Sequence, residues 1–211
     1  MDGSVHTEDT WTVAGRTFTS RLIVGTGKYK DYAQNAAAAE AAGAEIVTVA
    51  LRRVNLSDPS QPMLVDYVKP DRFTFLPNTA GCFTGEDAVR TLRLAREAGG
   101  WDLVKLEVLS NTKHLLPDME ETLRALKLLI ADGFQVMVYC SDDPVYALKL
   151  EEAGAAAIMP AAAPFIGLQP ITLCISAPAT PAFCSRSSKP VSVYLPGQIW
   201  RGTGRTRTWA A

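Results

Sequence analysis

Lys105 and Glu107 are the residues whose type and spacing stand out as chemistry. They interrupt an otherwise apolar run, Leu103-Val104-Lys105-Leu106-Glu107-Val108-Leu109. Two residues apart on a strand, both side chains point to the same face. Because the rest of the run is apolar, that face is expected to be an interior. An ammonium there costs several kcal/mol unless it is paired or neutral. Burial favours the neutral amine, and a neutral amine attacks a ketone to form an imine. A carboxylate one pleat away is placed to move protons to and from the imine. A structural ion pair buried in a core, or a strand lying on the surface, fits the same spacing, and spacing alone favours those readings.

The other polar candidates say less on their own. Gly25-Thr26-Gly27-Lys28 looks partly like a phosphate loop but lacks the rest of either nucleotide fingerprint. Lys28 and Lys30 could attract a phosphate or simply be solvated, and Arg52-Arg53 fits anion binding or salt bridges to helix carboxylates. Asn78-Thr79-Ala80-Gly81 reads equally as a helix cap before Gly85 or as a substrate contact. Asp142-Asp143-Pro144 has the grammar of a helix N-cap. His114 reads as a surface histidine. With His6 as the only other histidine, and Cys82, Cys140, Cys174 and Cys184 in no C-x-x-C spacing, no metal site is expected. The thiols are expected to be reduced.

The elements that must position these residues alternate. Apolar runs at Leu22 to Val24, Glu45 to Leu51, Phe73 to Leu76, Leu103 to Leu109, Phe134 to Cys140 and Ala156 to Met159 read as strands buried on both faces. Between them, Asp31 to Gly43, Gly85 to Gly99, Pro117 to Gly133 and Asp142 to Gly154 carry helical periodicity and stop at glycine. Strand alternating with helix implies a parallel sheet, either doubly wound or a (β/α)8 barrel. The first turn has no Rossmann glycine fingerprint. Trp11 to Ser20 reads as a hairpin turning at Ala14-Gly15, suited to plugging the bottom of a barrel. In a barrel the active site lies at the C-terminal ends of the strands, where Lys105, Glu107, Asn78 and Thr79 fall.

At 211 residues, 47% hydrophobic and 20% charged, the chain has the composition of a soluble globular domain. No apolar run reaches the roughly 18 residues of a membrane span. The polar, acidic start is unlike a signal or transit peptide, so a cytoplasmic protein is expected. The net charge of −1 is unevenly spread: all 22 acidic residues lie at or before Glu152, whereas residues 153–211 hold five Lys and Arg and no acid. From Ser176 to Ala211 the periodicity stops and the composition turns to Ser, Pro, Thr and Arg, which predicts irregular chain. The expected division is residues 1–10 as a flexible start, 11–175 as a partial barrel of about six βα units, and 176–211 as a basic tail.

Several segments together resemble one family. Arg21-Leu22-Ile23-Val24-Gly25-Thr26-Gly27-Lys28-Tyr29, Arg52-Arg53-Val54-Asn55 and Leu76-Pro77-Asn78-Thr79-Ala80-Gly81 are similar to segments of bacterial thiazole synthases of thiamine biosynthesis. So are Val104-Lys105-Leu106-Glu107-Val108, Leu115-Leu116-Pro117-Asp118 and Tyr139-Cys140-Ser141-Asp142-Asp143. They occur in order across about residues 11–164. The resemblance implies a (β/α)8 barrel and a transferase-type enzyme. It would join 1-deoxy-D-xylulose 5-phosphate, dehydroglycine and a sulfur-carrier thiocarboxylate into a thiazole phosphate. Lys105 would form the imine with the sugar ketone and Glu107 would be its acid–base partner. Asn78 and Thr79 would lie on the substrate side, no cofactor would be needed, and a homo-oligomer is expected.

Beyond Pro164 the resemblance decays. Ala163-Pro164-Phe165-Ile166-Gly167-Leu168-Gln169 stands where the family has a glycine-rich substrate loop, with Gly167 as its surviving glycine. The family's seventh and eighth strands, which carry a second acidic residue and much of the phosphate cradle, have no counterpart. The acid-free tail is what translation out of frame would produce; absence of the family's Asp-Ala-Gly and Asn-Thr-Ala loops from all three frames of the coding DNA would sink that idea. An inactive remnant that at most binds the carrier or a full-length homologue is the alternative. A generic aldolase-like barrel and a nucleic-acid-binding tail are weaker readings, and binding to nucleic acid or membrane is not expected.

Overall fold

The computed structural model describes residues 10–53, 55, 60 and 62–161. The chain opens with the hairpin β1 (Trp11–Val13) and β2 (Arg16–Phe18), antiparallel, with Val13 opposite Arg16. Its turn residues Ala14 and Gly15 both have positive φ, 51° and 71°. That is the backbone hand a two-residue hairpin turn requires. The Trp11 and Phe18 rings pack 5.3 Å apart, and the Trp11 indole N–H donates to the Ser20 carbonyl at 2.8 Å.

Six parallel strands follow in sequential order: β3 (Ile23–Gly25), β4 (Ile46–Ala50), β5 (Thr74–Asn78), β6 (Leu103–Leu106), β7 (Gln135–Cys140) and β8 (Ala157–Pro160). Helices α1 (Tyr32–Ala41), α2 (Leu64–Tyr67), α3 (Gly85–Gly99), α4 (Met119–Ala131) and α5 (Pro144–Glu152) connect them. This is a half-barrel: each strand pairs with its predecessor, as in an incomplete (β/α)8 barrel.

The sequence grammar accounts for the helix ends. Asp31, Thr84, Asp118 and Asp143 cap α1, α3, α4 and α5, each accepting a backbone N–H two or three residues on. Pro144 opens α5 at the one place where a missing N–H costs nothing. The glycine that stops α3 is Gly100 rather than Gly99, at φ 67°, with its N–H on the Arg96 carbonyl. The short helix α2 and the single 3-10 turn Leu51–Arg53 carry too few residues for a periodic pattern.

Two apolar layers cover the outer face. One joins Leu92 of α3, Leu126 and Leu129 of α4 and Leu150 of α5 to Val104, Leu106, Val136 and Val138. The other sets Ala39 of α1 and Leu64 of α2 against Val24, Val47, Val49 and Phe75. The inner face is different. Ile23, Ile46, Leu76, Leu103, Met137, Ala157 and Met159 form one cluster with Val13 and Phe18 of the hairpin. The hairpin therefore closes the N-terminal end of the half-barrel. Glu45 fastens it: one carboxylate oxygen accepts the N–H groups of Thr19 (2.7 Å) and Ser20 (2.6 Å) and the Thr19 hydroxyl (3.2 Å). Those bonds, the Ser20 N–H foremost, hold the Glu45 carboxyl below its ordinary range despite partial burial.

Candidate active site

The inner face changes character toward the C-terminal ends of the strands. Asn78, the last residue of β5, is the register partner of Lys105 on β6, which pairs in turn with Met137 on β7. Lys105 is 7% exposed. Its Nζ lies 2.6 Å from Glu107 Oε1 and 5.8 Å from the centre of the Tyr139 ring. The glutamate side chain is also largely covered, at 14% exposure. The lysine, the glutamate and the tyrosine thus meet on one face at the open end, while the same face below them is apolar.

The strand carrying the pair ends earlier than the apolar run in the sequence. β6 stops at Leu106, and Glu107 turns its backbone to Thr79. The Thr79 hydroxyl accepts the Glu107 N–H and donates to the Glu107 carbonyl, both at 2.7 Å. The chain then folds back: Leu109 donates to the Cys82 carbonyl, and Leu109 and Pro117 form an antiparallel bridge. Tyr139 reaches this returning loop through its hydroxyl, which donates to the Leu115 carbonyl at 3.4 Å, a long and weak bond. Burial pushes the Tyr139 phenol up to about 12, and the negative charge of Glu107 adds to the shift. It therefore stays protonated across the physiological range.

The remaining candidates sit as follows. Asn78 is buried, and its carboxamide oxygen accepts the Ala80 N–H at 3.1 Å. Neither it nor Thr79 caps α3, because Thr84 does so. Arg52 donates to the Gly81 carbonyl at 2.6 Å, and so braces the loop after β5. In the Gly25–Lys28 loop, the Thr26 hydroxyl donates to the Thr48 carbonyl at 2.9 Å, and Lys28 has φ 65°. His114 lies on the exposed surface with its N–H on Asn111 Oδ1. Cys82 and Cys140 are buried free thiols, and burial drives Cys140 up to about 12, far from a reactive thiolate. No cluster of three metal-binding side chains occurs among the described residues. Gly167, the seventh- and eighth-strand region and the basic tail lie outside the described residues.

Tyr139 is the site residue to which the sequence assigned no role. The available signal was strand parity, since Met137 and Tyr139 alternate onto the face that carries Lys105.

A parallel half-barrel with an inward lysine–carboxylate pair at the C-terminal ends of its strands defines an incomplete α/β barrel protein, with that pair at the end where barrel sites usually form. The family described as "Thiazole biosynthesis protein ThiG" matches residues 12–172. This chain belongs to that family. Thiazole synthase from Phenylobacterium zucineum is 96% identical over 164 residues, and that from Caulobacter vibrioides 83% identical over 169. These alignments take in 78% and 79% of this chain but 63% of each relative, so the chain spans under two thirds of their length. A chain of the crystal structure of the Amycolatopsis orientalis BexX/CysO complex superposes with a TM-score of 0.58 at 29% identity, covering 70% of this chain and 60% of that one.

Proposed function

We propose that this chain performs the thiazole synthase reaction, condensing 1-deoxy-D-xylulose 5-phosphate, dehydroglycine and a sulfur-carrier thiocarboxylate through an imine on Lys105. The observation that carries this reading is the covered Lys105–Glu107 contact of 2.6 Å at the mouth of the half-barrel. Glu107 takes a proton from the ammonium, and the neutral amine adds to the sugar's ketone carbon. Glu107 returns the proton to the resulting hydroxyl, which leaves as water as the C=N bond forms. The Tyr139 ring, 5.8 Å from the nitrogen, favours its cationic forms, the starting ammonium and the protonated imine. Asn78 stands next to Lys105 as the substrate-side contact, with Gly167 the proposed glycine of the substrate loop.

Family membership supports a role in thiazole formation. The structural neighbour's complex with CysO supports a protein partner for this chain, which the proposal takes to be the sulfur carrier. Among the described residues no helix is long and apolar enough to cross a membrane. A cytoplasmic homo-oligomer, with residues 11–175 as its barrel portion and 176–211 as a separate tail, completes the proposal. It is tested by borohydride trapping on the folded full chain: sugar phosphate and reductant should leave a reduced adduct mapping to Lys105. No adduct, with a full-length relative labelling normally alongside, would overturn it.

One observation favours a second reading, a remnant without turnover. The alignments cover 63% of the relatives' length, and the family match ends at residue 172. Barrels commonly hold phosphate at the loops after their last two strands. Each charge-assisted bond lost there costs about 1.5–3 kcal/mol. A remnant would bind a carrier protein yet fail to trap sugar at any concentration.

A further inference from the structure

We infer that Thr79 is a positioning residue for the Lys105–Glu107 pair, acting through the backbone of Glu107 rather than by touching substrate. The inference rests on the imine reading of Lys105 and deepens it.

The β6 ladder ends at Leu106, so Glu107 is the first residue whose peptide groups find no strand partner there. Both turn to one atom. The Thr79 hydroxyl accepts from the Glu107 N–H and donates to its carbonyl, each at 2.7 Å. Thr79 is 0% exposed, and that hydroxyl has given its one proton to a carbonyl, so it has none to offer a ligand. Its own N–H donates to the Lys105 carbonyl at 3.3 Å, and its carbonyl accepts the Cys82 N–H at 2.9 Å. One residue therefore holds the main chain of both members of the pair.

Threonine suits the task for a specific reason. A β-branched side chain is stiff at χ1, so the hydroxyl is held where two bonds can form. Fixing the Glu107 main chain fixes where its carboxylate emerges. A shift of even 1 Å would break the 2.6 Å contact with Nζ.

Thr79→Val keeps the shape and removes the hydroxyl, leaving two covered peptide groups unpaired. Glu107 should then move away from Lys105. A covered amine that loses its counter-charge is favoured in its neutral form.

The test has two arms on the full chain. In the first, all amines are labelled briefly with acetic anhydride across pH 6–10, and Lys105 is compared by mass with exposed Lys113 and Lys127 of the same sample. Thr79→Val should raise labelling of Lys105 about threefold or more near neutral pH, with Lys113 and Lys127 unchanged. Thr79→Ser, which restores the hydroxyl, should return the profile toward wild type. In the second arm, the trapping rate at saturating sugar phosphate should fall about tenfold in Thr79→Val, with half-saturation unchanged.

A lower Tm with an unaltered Lys105 profile would mean that Thr79 is merely structural, and would overturn the inference. So would a serine variant that behaves like valine. If the valine variant does not fold, amide exchange of Glu107 in the wild type decides. Slow exchange in the wild type, kept in Thr79→Ser, supports the clamp, and exchange as fast as at exposed Asn111 overturns it. Wild-type protein that traps no sugar would sink the synthase reading, while the labelling arm would still decide the role of Thr79.

Discussion

The inner face of the sheet is one surface with two ends, built from the same six strands. At the N-terminal end Ile23, Ile46, Leu76 and Leu103 pack on Val13 and Phe18 of the hairpin, dry and fully apolar. At the C-terminal end Asn78 and Lys105 occupy positions two residues further along the same strands, with Glu107 just past the end of β6. Strand parity keeps them on the same face, and only their height in the barrel differs. The lower layer gains stability from every buried carbon. The upper layer spends burial on a charged pair whose desolvation offsets much of its attraction. On the proposed function, stability and chemistry are thereby separated along the strand axis, and variants at the two ends should fail in different ways.

The largest effect expected is at the upper end. Lys105→Ala should abolish the trapped adduct at this position, because the imine-forming amine is gone. The variant should also lose stability, since Glu107 is left covered without its partner. Replacing both members, as Lys105→Met with Glu107→Leu, should recover that loss while trapping stays absent. Urea denaturation beside borohydride trapping checks both statements. A double variant less stable than Lys105→Ala would show that the pair contributes net stability and would blur the contrast between the ends.

At the lower end the signs reverse. Leu103→Ala, two residues below Lys105 on the same strand, should cost about 2–5 kcal/mol through lost burial and a cavity against the hairpin. The fraction that remains folded should still trap sugar on Lys105. Loss of trapping in demonstrably folded Leu103→Ala would mean that the layers are coupled rather than separate.

This division explains what the sequence made visible. The strands at Ile46–Ala50 and Gln135–Cys140 were readable as apolar runs, whereas the run Phe73 to Leu76 stops two residues before the end of β5. The start of α5 was readable because Asp143 before Pro144 carries cap chemistry. Lys105 and Glu107 stood out because charge in an apolar run is costly. Thr79 was readable as a substrate-side candidate but not as a clamp on Glu107, since its two bonds there depend on the β5–β6 register, which no local pattern records. The early end of β6 was hidden for the same reason: Val108 and Leu109 remain buried outside any strand. Arg52 was readable as a cation but not as a brace on Gly81, because a carbonyl partner leaves no trace in residue type.

Smaller effects sharpen the same comparison. Glu45 ties the hairpin to the sheet below the apolar layer, and its folded carboxyl titrates below the ordinary value of 4.5. A depressed carboxyl adds stability that is complete above the unfolded value and is lost as pH falls through the folded one. Wild-type Tm should therefore decline below about pH 4.5 with a component that Glu45→Gln lacks. At pH 7 the glutamine variant should be less stable by about 1–2 kcal/mol, because three donors lose a charged acceptor near the surface. Trapping at Lys105 should not change. Parallel Tm curves for the two proteins between pH 7 and 3 would show that Glu45 contributes nothing as an anion.

The smallest expected effect lies at Tyr139. Its hydroxyl stays protonated to about pH 12 and makes a single long bond of 3.4 Å to the Leu115 carbonyl, so it neither carries charge nor holds the loop firmly. The ring, 5.8 Å from Lys105 Nζ, is the part that faces the proposed nucleophile. Tyr139→Phe keeps that ring and should cost no more than about 0.5 kcal/mol, with the pH dependence of trapping unchanged. Tyr139→Leu removes the π-face and should slow trapping several-fold, since a cation beside an aromatic face gains roughly 0.5–2 kcal/mol. If the phenylalanine variant slows trapping as much as leucine does, the hydroxyl rather than the ring serves the site. Tyr139 would then join Glu107 as a proton-handling group despite its raised titration.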